Sequence, residues 1–518
     1  MTDHTYDSII VGAGSAGATL AARLSEDPTR SILLLEAGLN YRSHETPAAI
    51  RSANHFPLFS NERYLWPKLL ARRTDVQEPR LYLRGRGVGG SSTINAQIAI
   101  RGMPEDFDRW AELGCAGWSS KEVLSSFIRL EDDVNCGDAP YHGQGGPIPI
   151  YRTPVEQWGA VDRAFRTAAL DLGYSWTEDH NAPHGTGVSP WALNRRAGAR
   201  VSTNDGYLEP ARSRPNLTIR GQALVDRVEF EGKRAKGVRV HTGAGWEQFY
   251  TREVILCAGA VHSPAILLRS GVGPAEELRH LGISLVADSP HVGRNLGEHP
   301  ALFVTFDLST EAQAGSIHDR VGNCCLRYSS GLPGTGANDM VLFPVNLLYG
   351  LGELQLAHGG LGVSVMQTFS RGRLHLTTDD PTVDPEIDFH LLSDERDFIR
   401  LRDGVRRLFN LARHPAMAAI IEAVHVGASG LKPDLNDEGQ LGQWLMAECG
   451  EFWHACGTCR MGAINDRTSV VDPECRVIGV EGLRVVDASV MPEAPRANTN
   501  LTTIMIAEHV AARLTQHL

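Results

Sequence analysis

The chain of 518 residues contains no apolar run approaching the roughly 20 residues that span a bilayer. It has no run of basic residues either, and its formal net charge is −11. These absences argue against membrane insertion, and against nucleic acid or an anionic membrane surface as partner. The nine cysteines are an odd number, scattered without framework spacing. That excludes a secreted disulfide scaffold and makes a reducing, cytoplasmic setting the expectation. A first strand is expected from Tyr6, which leaves no room for a secretory leader ahead of it. Internal repeats and low-complexity tracts are also missing.

What is present is an ordinary globular composition, 42% hydrophobic and 21% charged. The length exceeds what a single core supports, so two or three domains are expected. The most informative stretch is YDSIIVGAGSAG, residues 6–17. A short apolar strand runs into Gly12, Gly14 and Gly17, spaced G-x-G-x-x-G. The first glycine permits the tight turn, the second lets backbone approach a pyrophosphate, and the third lets the next helix pack close. The N–H groups of Ser15 and Ala16 open that helix, have no helical partner and face the anion. A second strand, residues 32–35, delivers Glu36 at the place where a carboxylate takes the ribose hydroxyls of a dinucleotide. A bare tight turn would not need Glu36.

Further along, residues 40–80 are irregular and rich in Pro, Arg and aromatics, as in a lid. RGRGVGGSSTIN, residues 84–95, can set many backbone N–H groups against a polar ligand, and the apolar run 96–100 after it reads as helix-like. Residues 152–200 read as an excursion into another domain. A meander follows over residues 217–241, then a central strand over 253–257 and a helix N-capped by Ser263 that stops at Gly271. Residues 300–450 show strands at 362–366 and 373–377 and helices at 394–411 and 438–447. A strand ending in Asp487 and a closing helix carrying Leu501, Ile504, Ile506 and Val510 return the chain to the first domain. The expected class is α/β, α+β overall. A Rossmann-like nucleotide domain would comprise residues 1–151, 200–299 and 455–518. A substrate domain on a mostly antiparallel sheet flanked by helices would comprise 152–199 and 300–454.

Six ordered motifs together resemble the glucose–methanol–choline family of FAD-dependent alcohol oxidoreductases. They are GAGSAG with Glu36, RGRGVGGSSTIN, GAVHSPAILLRSGVGP, HVGRNLGEHP, WHACGTCRMG and VVDASVMPEAPRANTNLTTIMIAE. Within that family the resemblance runs to bacterial oxidases of furan and benzylic alcohols. It implies FAD as cofactor, with Gly12, Gly14, Ser15 and Ala16 at the pyrophosphate and Glu36 at the ribose. It also implies Val88, Asn95, Ala96 and Ile98 against the flavin, the Val225 backbone at adenine, and Asp487, Ala488 and Thr499 closing over the pyrophosphate and ring. Some relatives link the flavin through a His in the glycine-serine loop. Ile94 stands there in this chain, so non-covalent FAD is expected.

Alcohol oxidation removes a hydride and a hydroxyl proton. The flavin accepts the first, and a histidine suits the second. The resemblance places His454 at the family's catalytic histidine, beside Trp453 and just ahead of the Gly457-Thr458 turn. Asn500 is the expected partner, an amide that donates to the substrate oxygen without competing for its proton; Asn498 reads as a helix N-cap. Phe452 and Trp453 would wall the pocket, with Val365 as a further candidate on the substrate-domain sheet. No metal is expected: Cys456 and Cys459 lack a second pair at zinc spacing, and Glu298-His299 lacks further ligands. The expected reaction takes primary alcohols to aldehydes, and onward to acids through the hydrate, with oxygen reduced to H2O2. A quinone-type acceptor, a pyridoxine-type alcohol and a non-redox lyase on the same fold are the alternatives.

Overall fold

The computed structural model describes residues 5–350 and 353–516. Two seven-stranded sheets organise it. In the first, Thr5–Val11 and Ile32–Leu35 run parallel, and Leu217–Arg220 extends the sheet beyond Ile32–Leu35. On the other side lies Gly245–Leu256, whose last residues pair in parallel with Thr5–Val11 and with Leu483–Val485. Its earlier half folds back antiparallel on Arg234–Thr242, which pairs in turn with Leu224–Glu231. Ile32–Leu35 is buried throughout, as expected of a central parallel strand covered on both faces.

The strand Thr5–Val11 turns at Gly12, where φ is +97° and a Cβ would meet the Cys257 carbonyl oxygen at 2.6 Å. At Gly17 a Cβ would lie 1.8 Å from the Gly12 oxygen, so helix Ser15–Leu24 can sit this close only with glycine there. The long closing helix, Thr499–Gln516, brings its own N-terminus to the same end of the sheet.

The second sheet is antiparallel, in the order Ile421–His425, Pro300–Leu308, His358–Val365, Met340–Val345, Cys324–Tyr328 and Gly187–Pro190. Gly450–Glu451 pairs with the start of Pro300–Leu308. Helix Glu395–Arg413, N-capped by Asp394, covers one face. It comes so close that a Cβ on Gly404 would touch Val363 Cγ2 at 2.7 Å. The opposite face carries Phe303 and Phe343 toward a cavity shared with the first sheet.

Two expectations of local structure fail. Residues 96–100 form no helix: Gln97 takes φ +65°, Ile98 bridges to Leu193, and Ala99 N donates to the Ala192 oxygen. The apolar residues there serve two walls, which breaks helical spacing. The helix expected from Ser263 begins at Gly259. Ser263 Oγ instead donates to Asp487 Oδ2 at 2.6 Å and accepts from Ala258 N, so the hydroxyl joins two strand ends. Among the described residues every cysteine is free, and no helix is long and apolar enough to cross a membrane.

Candidate active site

One continuous cavity runs from the glycine turn to the aromatic wall of the second sheet, with room for the centres of water-sized molecules over about 480 Å³. Gly12, Gly14, Ser15, Ala16 and Glu36 line its first end, with Val225 and Asp487 nearby. The two glycine-rich loops meet here: a Cβ on Gly90 would stand 2.7 Å from Gly14 Cα. Glu36 sits at the strand end with its oxygens accepting from Ala13 N (2.9 Å), Gly38 N (2.8 Å) and Gly87 N (2.9 Å). Asp487 accepts from Gly259 N and Ser489 N as well as from Ser263, and burial pushes its carboxyl up. The helices starting at Ser15, Gly259 and Thr499 all open on the cavity, so three positive dipole ends converge there. This cradle, tight in backbone and positive at its helix ends, fits the diphosphate and ribose of FAD.

At the far end His454, 6% exposed, faces the cavity. The chain reaches it through Trp453, a non-glycine residue at φ +59°, a conformation that costs about 1 kcal/mol or more and recurs at functional sites. Asn498 Nδ2 lies 3.1 Å from His454 Nε2, and His299 Nδ1 lies 2.7 Å from His454 Nδ1. With the amide nitrogen assigned to that side, Asn498 can only donate, so Nε2 bears the lone pair. His454 Nδ1 then carries the proton and donates to His299. That tautomer sets a basic nitrogen at the cavity wall, its lone pair accepting from Asn498. Burial, with His299 and Arg84 nearby, holds the His454 ring well below the usual imidazole range, and burial pushes His299 down to about 3. Both rings are neutral near pH 7.

Behind His454 lies a buried polar chain. Both Glu298 oxygens accept from His454 N at 2.7 Å, and Oε1 also accepts from His299 N. Tyr82 OH donates to Glu298 Oε2 at 2.9 Å and itself accepts from Arg84. Burial pushes the Glu298 carboxyl up to about 7, against the opposing pull of Arg84 and of the His454 and His299 N–H groups. The wall beside His454 is aromatic: Phe452 packs edge-on to His454 at 4.9 Å between ring centroids and stacks on Phe343 at 5.2 Å.

Of the anticipated residues, Asn95, Ala96, Ile98, Phe452, Trp453, His454, Ala488, Thr499 and Asn500 also line this cavity. Three assignments need correction. Asn500 does not meet His454; its Oδ1 accepts from Ser15 Oγ at 2.6 Å, tying the closing helix to the glycine turn, and Asn498 holds the position beside His454. Two residues of difference at a helix start turn a side chain by about 200°, which spacing alone does not resolve. Val365 is fully buried on the face shared with Val363, toward helix Glu395–Arg413, and is not in the cavity wall. Val88 is likewise fully buried behind the loop, where its N–H donates to the Leu39 oxygen. Glu298, His299, Tyr82 and Arg84 were not assigned to the site from sequence. The adjacent Glu-His pair was the available signal for two of them.

Two models described as GMC oxidoreductase match the chain, at residues 6–301 and 368–507. The 5-(hydroxymethyl)furfural oxidase of Methylovorus sp. (strain MP688) is 39% identical, with 100% of each chain covered. The oxygen-dependent choline dehydrogenase 1 of Chromohalobacter salexigens is 36% identical over 98% of this chain and 94% of its own. Among solved structures, pyridoxine 4-oxidase from Mesorbium loti superposes with a TM-score of 0.89 at 29% identity, covering 99% of this chain and 100% of that one.

Proposed function

This chain belongs to the GMC oxidoreductase family and is an FAD-dependent alcohol-oxidising enzyme; on that footing we propose that it oxidises primary alcohols on planar aromatic or furan rings to aldehydes, with oxygen reduced to H2O2. The observation that carries the proposal is the pair His454 Nε2 and Asn498 Nδ2, 3.1 Å apart at the aromatic end of a cavity whose other end is the nucleotide cradle.

Bound in that cradle, FAD supplies an acceptor for the carbinol hydride, which no side chain offers. The substrate hydroxyl displaces the Asn498 amide from His454 Nε2 and takes its place there. His454 takes the hydroxyl proton at Nε2, while Asn498 donates its amide hydrogen to the same oxygen. The resulting imidazolium keeps its Nδ1–H on His299. Glu298 holds the His454 backbone by sharing its one N–H between both carboxyl oxygens, so the ring does not swing as its charge changes. Phe452 and Phe343 exclude water and present a flat apolar surface to the ring. An aldehyde hydrate offers the same CH–OH unit, so oxidation continues to the acid.

Gly12, Gly14, Ser15, Ala16, Glu36, Val225, Asp487, Ala488 and Thr499 would hold the cofactor, with Asn95, Ala96 and Ile98 on the side of its ring. The FAD is non-covalent, because Ile94 offers only hydrocarbon in the cavity wall. The enzyme is cytoplasmic, in keeping with nine unpaired cysteines of which eight are buried. Peroxide production in air with benzyl alcohol and 5-(hydroxymethyl)furfural tests the reaction. Stoichiometric peroxide and aldehyde are expected. Absence of turnover with every primary aryl or furyl alcohol, in protein carrying full FAD, contradicts it.

A further inference from the structure

Three arginines line the cavity: Arg84, Arg269 and Arg320. Arg84 donates to Tyr82 and leans on its ring at 4.4 Å. Arg269 reaches the Asp226 carboxylate at 3.4 Å and its carbonyl oxygen at 2.8 Å. Arg320 differs from both. Its one hydrogen bond runs from Nη2 to the Ala96 carbonyl at 3.1 Å, and its Nε is buried without a partner. Among the described residues no carboxylate oxygen lies within the 4.0 Å of an ion pair.

The surroundings make the lone charge more conspicuous. Arg195 and Arg200 add like charge, and the one acid that acts on Arg320 is Asp162. Asp162 is already taken by Asn323, Asn346 and Gly159 N. Burial consequently pushes the Arg320 guanidinium down to about 9. The residue itself is half-buried, because the cavity reaches it. A desolvated cation with a free edge on a binding cavity is costly for a protein to keep unless a ligand completes it.

Its position says which ligand. Arg320 is followed by Val321, whose carbonyl accepts from Asn346 N, so the segment lies along the strand end that carries Phe343. Phe343 stacks on Phe452, and Phe452 abuts His454. A flat ring lying on that wall has His454 at one side and a guanidinium within the same chamber.

We propose that Arg320 receives an anionic substituent of the substrate, so that the preferred substrates are aryl or furyl alcohols and aldehydes bearing a ring carboxylate. The inference rests on the alcohol-oxidising reading of the site and narrows it. A planar carboxylate matches the guanidinium fork in two parallel hydrogen bonds. A cationic alcohol such as choline meets a like charge and is rejected.

The test compares holoenzymes of wild type, R320M, R320Q and R320K, matched for FAD content and melting temperature. Two readouts are taken. The first is the ratio of kcat/KM for 4-(hydroxymethyl)benzoate over benzyl alcohol. The second is the calorimetric Kd of benzoate, a carboxylate that cannot be oxidised. A hydrogen-bonded charge contact corresponds to about 10–100-fold. The wild-type ratio should exceed unity, fall by about that factor in R320M and R320Q, and fall less in R320K, with the benzoate Kd weakening in parallel. Ratios and Kd values equal across the four proteins overturn the proposal and leave Arg320 as a brace for the Ala96 carbonyl. If neither alcohol turns over, the reaction assigned above fails, and the benzoate Kd still decides the role of Arg320.

Discussion

In the proposed reaction a single nitrogen, Nε2 of His454, receives the proton, and its neighbours fix its state before substrate arrives. Asn498 requires the lone pair on Nε2, His299 holds the opposite proton, and Glu298 holds the backbone. His454→Ala should therefore lower kcat by about 10²–10⁴-fold while the protein keeps its FAD and its melting temperature. Asn498→Ala should lower kcat with little loss of cofactor. Asn500→Ala should do the reverse, loosening FAD through the lost Ser15 contact. The FAD content and kcat of the two variants, measured side by side, check this; identical profiles contradict it. The same environment sets the acid limb. Because burial lowers the His454 pKa, the ring stays unprotonated as pH falls through 6.5, and the basic form is lost only below its lowered value. His454 therefore adds no step to kcat/KM between pH 8 and 6, where Glu298 is the neighbour that titrates; a level profile is expected in Glu298→Gln, and a decline centred on 6.5 in that variant contradicts the assignment. These residues were unevenly legible in sequence. His454 stands in a long motif, but the choice between Asn498 and Asn500 depends on helix phase. Tyr82 and His299 act through contacts across 216 and 155 residues of chain, which no local pattern records.

At the scale of elements, the nucleotide end was readable because its constraints are local. A strand, three glycines, a helix and an acid at the next strand end follow from backbone approach distances alone. The apolar run 96–100 imitates a helix in sequence because its residues divide between two packing partners, and periodicity assumes one face. Ser263 has the look of a cap in sequence, but its hydroxyl is spent on Asp487, a residue from the far end of the chain. Val365 lay on the correct sheet, but the sheet face that meets the cavity could not be told from alternation in a strand buried on both sides. A contact outside any motif prediction is the approach of Gly90 to Gly14. Gly90→Ala would place a methyl 2.7 Å from Gly14 Cα at a residue with φ +51°, forcing the loops apart. The variant should purify with much reduced FAD, read as the ratio of flavin to protein absorbance. Full occupancy would contradict the account of the cradle.

Over the whole molecule, the parallel sheet supplies the cradle and the antiparallel sheet the substrate wall, with the base held between them by segments from both ends of the chain. The cavity walls come from both bodies, so an occupant contacts both. Removing FAD should lower the melting temperature. Saturating cofactor at 100 times its Kd contributes about 2.7 kcal/mol of linkage stabilisation, and re-addition should restore it. A melting temperature unchanged by the cofactor would mean that the cavity holds something else.

The central claim is that this cavity moves a hydride from a carbinol carbon to FAD while His454 takes the hydroxyl proton. The most direct measurement is rapid anaerobic mixing of the yellow holoenzyme with benzyl alcohol and with its α-dideuterated form. The account predicts bleaching of the flavin in a single turnover, slowed severalfold by deuterium and slowed far more in His454→Ala. Flavin that stays oxidised with these alcohols, or that bleaches equally fast in wild type and His454→Ala, would contradict it.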